Sequence, residues 1–320
     1  MKRTLILFIS FLFMLLQCFA QDQSKITLTA HKDGVNTVAF TPDGNTLISG
    51  SRDKTVKTWD VKNNFTLMQS VQPGDASIAH IGVSPDGAFF TASTYRHFYL
   101  YDIKTLKKKG TAKKAHTTFV RIANFSPDGN FIISSSWRDN ALTLWQTKGL
   151  KKVKDFNEGS WTDAAIFTPD GKQVVSVNHD NTAKLWDVAS GNILKTFAGH
   201  QDWIYSVAIA PTARHLYTAS LDKTIKVWEL ETGKLLQTLT GHTDGITAMA
   251  LSPNQQYLAT GSLDKTIQIW DLNSMTLFLT LTGHSDSVLS VSFSPDSRYV
   301  ASASADSTIK IWEIAPPPGK

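Results

Sequence analysis

The chain has 320 residues, a formal net charge of +5 at pH 7 and a single cysteine, Cys18. So weak a charge balance gives no argument for a polyanionic partner, and one cysteine excludes a disulfide framework. Beyond the N-terminal stretch, no apolar run is long enough for a membrane-spanning helix.

In chain order, Lys2 and Arg3 precede an apolar run from Leu5 to Leu16 that is too short to cross a bilayer. Cys18-Phe19-Ala20 then puts small residues at the −3 and −1 positions of a cleavage site. Residues 1–20 therefore read as a signal peptide, with a mature chain from Gln21 and an exported protein, secreted or periplasmic. A lipid-modified N-terminal Cys18 is the second reading, and the bulky Gln17 before it stands against that. Cleavage lowers the charge from +5 to +3 by removing Lys2 and Arg3, and leaves no cysteine. A domain of this size can hold together on its core alone.

From residue 24 onward one pattern recurs. Thr240 to Leu272 opens with Gly241-His242, runs through two apolar strands split by a Pro-containing turn, and closes a third strand on Trp270-Asp271. In the fifth unit Ile204 to Ile209, His215 to Ala219 and Thr224 to Trp228 are short and rich in β-branched and aromatic residues, as strands require. Pro-Asp-Gly at 42–44, 85–87, 127–129 and 169–171 supplies tight turns. A fourth strand follows each closing pair, as Leu235 to Thr240 does. The closing aromatics Trp59, Tyr101, Trp145, Trp186, Trp228, Trp270 and Trp312 lie 41–44 residues apart. One such unit cannot bury its own faces, whereas seven in a ring can.

A period in the low forties with a Gly-His start and a Trp-Asp finish resembles the WD-repeat family, here as a secreted or periplasmic bacterial-type member. The resemblance implies an all-β fold: a seven-bladed β-propeller of WD repeats filling residues 21–314, followed by a Pro-rich tail at 315–320. It also implies that His, Ser, Asp and Trp of one blade form a hydrogen-bonded chain. Four complete sets match: His31/Ser51/Asp53/Trp59, His200/Ser220/Asp222/Trp228, His242/Ser262/Asp264/Trp270 and His284/Ser304/Asp306/Trp312. A buried indole N–H and a buried carboxylate both need partners, so a satisfied chain fixes the blade.

Ser24 to His31 looks like the end of the later units, while the last unit stops after its third strand at Trp312-Glu313-Ile314. Lys25–Ala30 is thus expected to complete blade seven and close the ring. Units two to four depart from the pattern. Unit two has Gly74 for His and Ala76 where Asp is frequent, Tyr95 for the Asp of the third strand, and ends in Tyr101-Asp102. Unit four has Glu158 for His and Asn178 for Ser. Unit three keeps His116 and Asp139 but inserts a residue, so that Trp137 and Arg138 precede Asp139. Two readings stand: drift tolerated by a cooperative ring, or alteration for binding.

Registering the units on their turns gives one top-rim position per blade, occupied by Gly34, Ser77, Phe119, Trp161, Trp203, Gly245 and Ser287. Three large aromatics on adjacent blades form an arc, with Trp137, Arg138 and His179 in nearby loops. Such residue types dominate interfaces, and the same rings could instead plug the channel mouth. Lys104, Lys107, Lys108, Lys109, Lys113 and Lys114, then Lys148, Lys151, Lys152 and Lys154, fall on or beside the outer strands of blades two and three. They read as edge protection or as a docking stripe for an anionic glycan, membrane surface or nucleic acid. Aromatics for base stacking are not interleaved with them, which weighs against nucleic acid.

The His, Ser and Asp recur in equivalent positions, whereas a catalytic triad is a single strained site. No metal-binding His spacing and no phosphate-cradling Gly-rich loop is present, so no metal, cofactor or catalytic residue is expected. The innermost strands Val35 to Phe40, Ile246 to Leu251 and Val288 to Phe293 carry almost no ligand-type residues. The sequence reads as a monomeric, non-catalytic scaffold binding a protein partner. The alternatives are a propeller enzyme with a lactonase-like metal site in its channel, or an anionic-glycan binder using the lysines.

Overall fold

The short alternating runs form strands because each can pair only with its neighbour through a tight turn. In blade one, Val35–Phe40, Thr46–Ser51, Val56–Asp60 and Thr66–Val71 pair antiparallel in that order. The Pro-Asp-Gly turns work as their chemistry requires: Gly44 sits at φ 69°, and Asp43 accepts from the Thr41 hydroxyl and the Asn45 amide. The computed structural model describes residues 22–139 and 141–314, and these form seven four-stranded antiparallel sheets.

The sheets stand radially as a seven-bladed β-propeller. Each innermost strand neighbours the next, and that of blade seven, Val288–Phe293, neighbours that of blade one. The core is divided accordingly into seven apolar clusters, each built by two adjacent blades. Leu142, Phe156 and Trp186 join blades three and four, for example, and Trp59 packs with Ile309 and Ile311 across the closure. The inner three strands of a blade are covered on both faces, so the Ser and Thr hydroxyls they bury, such as Ser49, Thr218 and Ser302, need partners inside. The outer strand is exposed, as Thr66–Val71 is along almost its whole length.

The ring is closed by the N-terminal strand. Ile26–Leu28 pairs with Ile309–Glu313, Ile26 opposite Ile311 and Leu28 opposite Ile309, so blade seven joins the first and last strands of the described residues. Lys310 is buried there and donates to Asp22 and to Thr27. The expected signal peptide, Cys18 and the Pro-rich tail lie outside the described residues. No helix among the described residues is long and apolar enough to cross a membrane.

The polar chains exist, but one member differs from expectation. His31 Nδ1 meets Asp53 Oδ2 at 2.8 Å and its Nε2 meets Ser49 Oγ at 2.8 Å, while Trp59 donates to the same Ser49 oxygen at 2.9 Å. Thr218, Thr260 and Ser302 occupy that place in blades five to seven, between His200 and Trp228, His242 and Trp270, and His284 and Trp312. Ser51, Ser220, Ser262 and Ser304 are instead turn residues: each accepts from the amide of the tetrad Asp two positions on and donates to the loop carbonyl at Asp33, Asp202, Asp244 or Asp286. The reason is reach. Trp59 lies opposite Leu47, so its indole extends one diagonal pair along the sheet to Ser49 and cannot span two.

Blade three has a fifth chain, His116–Asp139 at 3.0 Å, His116–Ser134 at 2.8 Å and Trp145–Ser134 at 2.8 Å. In blade four two side chains replace the imidazole: Asp180 meets Lys184 at 3.0 Å, Lys184 meets Glu158 at 3.3 Å, Glu158 accepts from Ser176 at 3.0 Å, and Ser176 accepts from Trp186 at 2.9 Å. Burial pushes the Glu158 carboxyl above its ordinary range, against the pull of Lys184 and Ser176. In blade two Tyr99 fills the space: a Cβ on Gly74 would lie 2.7 Å from the Tyr99 hydroxyl. Tyr101, in place of Trp, stacks on Phe90 at 5.3 Å.

Candidate interaction site at the channel mouth

The innermost strands begin with an irregularity. In six blades the pairing with the second strand skips one residue near the top: Asn36, Arg121, Asp163, Tyr205, Thr247 and Leu289. A bulge of this kind turns its extra side chain away from the ladder, and all six of these residues line the central channel or its mouth. Blades three, four and five thereby bring Arg121, Asp163 and Tyr205 together.

Asp163 is the hub. Its side chain is fully buried and accepts from Arg121 Nε at 3.0 Å and Trp137 Nε1 at 3.0 Å, while its second oxygen meets His179 Nε2. His179 stacks on Trp203 with ring centres 4.0 Å apart and lies 5.3 Å from Trp161 and 6.1 Å from Tyr205. The Arg121 guanidinium lies 4.6 Å from the Trp137 ring and 5.9 Å from that of Tyr205. Arg138 reaches over Trp161 at 5.7 Å. Below them, His80 is held neutral: burial, with the Arg121 charge added, pushes its imidazole down to about 4.

Of the rim residues expected to act together, Trp137, Arg138, Trp161, His179 and Trp203 meet in this one cluster. Phe119 stands beside it, packed edge-on against Tyr95 at 5.1 Å. Trp161 and Trp203 remain 36% and 39% exposed, and a cavity of about 660 Å³ persists in the channel, with Phe119, Trp137, Arg121, Asp163 and Tyr205 on its wall. Trp203 lies over His179 of blade four, as a ring covering the mouth would, while both tryptophans keep part of their surface open to solvent.

Arg121, Asp163 and Tyr205 were not anticipated: they lie on the innermost strands of blades three to five, whereas the strands read as nearly free of ligand-type residues were those of blades one, six and seven. The signal was present: each lies two positions beyond the rim residue, at Phe119, Trp161 and Trp203. Among the described residues no group of three or more His, Cys, Asp or Glu side chains converges as a metal site would require.

The lysines do not form one stripe. Lys107, Lys108 and Lys109 begin the outer strand of blade two at the bottom, and Lys113 and Lys114 follow its end at the top, about 15 Å away at strand rise. Lys151 and Lys152 open the outer strand of blade three, again at the bottom. Lys109 meets Asp102 at 3.4 Å and Lys152 meets Asp155 at 2.5 Å, so part of this charge is neutralised locally.

Seven radial sheets, imidazole–hydroxyl–indole chains inside the blades and an aromatic rim define a β-propeller of the WD type. The family model for the WD domain, G-beta repeat, matches residues 22–60, 107–146, 152–187, 191–229, 233–271 and 275–313, and the chain belongs to this family. The longest unmatched stretch of the propeller, residues 61–106, holds the outer strand of blade one and the inner three strands of blade two, where Gly74 and Tyr101 replace the His and the Trp. The chain is similar to a guanine nucleotide-binding protein subunit beta of Nicotiana tabacum, 38% identical over 61 residues, 19% of this chain and 16% of that protein. It is also similar to the WD repeat-containing protein RUP1 of Arabidopsis thaliana, 38% identical over 80 residues, 24% of this chain and 21% of the relative. A third, the nuclear distribution protein PAC1 of Arthroderma otae, is 35% identical over 75 residues, 21% of this chain and 16% of that one. The matches thus span about a fifth or less of these relatives.

Proposed function

We propose that the protein is a non-catalytic, exported scaffold that docks a protein partner on the top rim of blades three to five. The contact surface is Trp137, Arg138, Trp161, His179 and Trp203, with Phe119 at its edge. The observation that carries this reading is the buried Asp163. It ties Arg121, Trp137 and His179 into one fixed array, so the exposed rings meet a partner without first being ordered. Aromatic and arginine anchors held in this way are the residues that concentrate binding energy, at about 2 kcal/mol or more each. Export is supported by the charged start, apolar run and small-residue cleavage site of residues 1–20.

The test is crosslinking followed by mass spectrometry in cells of the source, comparing the wild type with Trp161→Ala/Trp203→Ala. Loss of a defined crosslinked partner with an unchanged melting temperature supports docking. A fall in melting temperature with the partner retained refutes it. Cell fractionation of the wild type tests export, which a cytoplasmic pool of uncleaved chain would contradict.

A further inference from the structure

We propose that Arg121 is the anchor of this surface, and that its ligand is a carboxylate on an acidic segment of the partner protein. An apolar or aromatic side chain of the same segment packs on Trp161 and Trp203. This inference rests on the channel mouth being the docking surface.

The argument begins with unspent donors. A guanidinium carries five N–H groups in a fixed fork. In Arg121 only Nε has an acceptor among the described residues, Asp163 at 3.0 Å. Asp163 fixes one edge of the fork, and the rings of Trp137 and Tyr205 flank it at 4.6 and 5.9 Å. The side chain is a quarter exposed and lines the cavity of about 660 Å³. The remaining edge of the fork is the geometry that takes a planar carboxylate through two parallel hydrogen bonds. His80 lines the same cavity, and its buried Nδ1 has no partner among the described residues.

The charge around the rim points the same way. Blades one, five, six and seven carry Asp33, Asp202, Asp244 and Asp286 immediately before the rim residue, each accepting from the next amide. Blades two, three and four have Ala76, Thr118 and Ser160 there. On that side stand Arg96, Lys113, Lys114 and Arg138, and the buried Nε of Arg96 has no acceptor among the described residues. Of the carboxylates on this side, Asp139 is engaged by His116 and Thr117, Asp163 by its three donors and Asp180 by Lys184 and Thr182; Asp75 is exposed. Cations also stand on the other blades, Arg52, Lys54, Lys223 and Lys265 in the matching loops, and Asp202 adjoins Trp203, so the pull on an anionic segment is local: Arg121, Arg96 and Arg138 stand where the rim lacks its Asp.

The experiment uses the purified full chain as bait for phage-displayed random dodecapeptides, and the best synthetic peptide is then measured by fluorescence anisotropy. The expected peptides carry Asp or Glu close to an aromatic or large aliphatic residue. Replacing that carboxylate by its amide weakens Kd by about tenfold or more. Arg121→Lys has a similar effect, and raising salt from about 50 to about 300 mM weakens the acidic peptide but not the amide. The amide peptide leaves the protein untouched, so an unstable Arg121 variant does not blunt the test. Recovery of basic or uncharged peptides, recovery of none, or an amide binding as tightly as the acid overturns the proposal. A peptide lost with Trp161→Ala/Trp203→Ala but indifferent to its own carboxylate leaves the docking surface standing and sinks the Arg121 anchor. A peptide that binds this double variant as tightly as the wild type sinks both.

Discussion

Trp137 donates its indole N–H to Asp163 at 3.0 Å across the boundary between blades three and four. A loop of one blade is thereby fastened to the innermost strand of the next, and Arg121 and His179 meet the same carboxylate. Asp163→Ala leaves the Arg121 charge without its counter-ion and two rings without an acceptor. The expected cost is about 3–5 kcal/mol, read from urea unfolding. Trp137→Phe keeps an aromatic ring but removes the donor and part of the surface that packs on Arg121, so it should cost about 1.5–3 kcal/mol. Equal losses from both variants would mean that the carboxylate matters only to Trp137.

The ring closure gives a second prediction. Ile26 and Leu28 lie in the cluster shared by blades seven and one, and the buried Lys310 relies on Asp22 and Thr27. Deleting residues 22–30 removes these contacts and exposes the edge of Ile309–Glu313 for most of its length. The unfolding free energy of the whole chain should fall by about 3 kcal/mol or more, and its midpoint with it, because each blade borrows its core from its neighbours. A truncated chain with the wild-type midpoint would show that blade seven needs no fourth strand.

The architecture was legible because it is written seven times. Period, turn residues and closing aromatics gave the blades, and Lys25–Ala30 declared its place by copying the ends of later units. Single side chains were less legible. Ser49 and Ser51 lie on the same face of one strand, and only the reach of Trp59 across the sheet separates a tetrad member from a turn residue. The centre of the site was hidden by the choice of strands. Blades one, six and seven have Asn36, Thr247 and Leu289 at the bulge, whereas blades three to five have Arg121, Asp163 and Tyr205. A bulge adds a residue that strict alternation does not count, so period-two reasoning passes over the position that faces the channel.

The polar chains make stability fall in acid. Burial holds His31 and His116 below the ordinary imidazole value of 6.5, so the folded state keeps them neutral while the unfolded chain takes up protons. Their contribution is complete above 6.5 and is lost as pH falls through their folded values. Asp53, Asp222, Asp264 and Asp306 are partly buried, which alone would raise them. Hydrogen bonds from His, Thr and backbone amides prevail and hold them well below 3.8, so a second loss begins below that pH. Melting temperature followed from pH 8 to pH 3 should hold level, decline below about 6.5 and decline again below about 4. Replacing both His31 and His116 by Gln should shrink the first decline to the part that His80 contributes, its imidazole being pushed down to about 4, and leave the second.

Blade four tests whether the irregular units are damaged or rebuilt. Lys184 and Glu158 together span the gap between Asp180 and Ser176 that one imidazole spans elsewhere, and Trp186 still finds its hydroxyl at 2.9 Å. Restoring the family residue alone should therefore harm the protein. In Glu158→His the new ring competes with the Lys184 ammonium for the same space. Glu158→Ala should cost about 2–3 kcal/mol, since it strips Ser176 of its acceptor and leaves Lys184 leaning on Asp180 and a carbonyl. Glu158→Ala/Lys184→Met should be less destabilised than Glu158→Ala, because the buried charge leaves with its partner. Glu158 also opposes the pH trend of the histidines. Its carboxyl is raised above 4.5, so the unfolded chain ionises first and this one group lowers stability as pH rises through that range. Glu158→Gln should remove that opposing slope, measured as a steeper acid decline between about pH 4.5 and 6.5 than in the wild type. If the double variant proves as unstable as the sum of its parts, the lysine and the glutamate do not act as one bridge, and the blade is held by its apolar core alone.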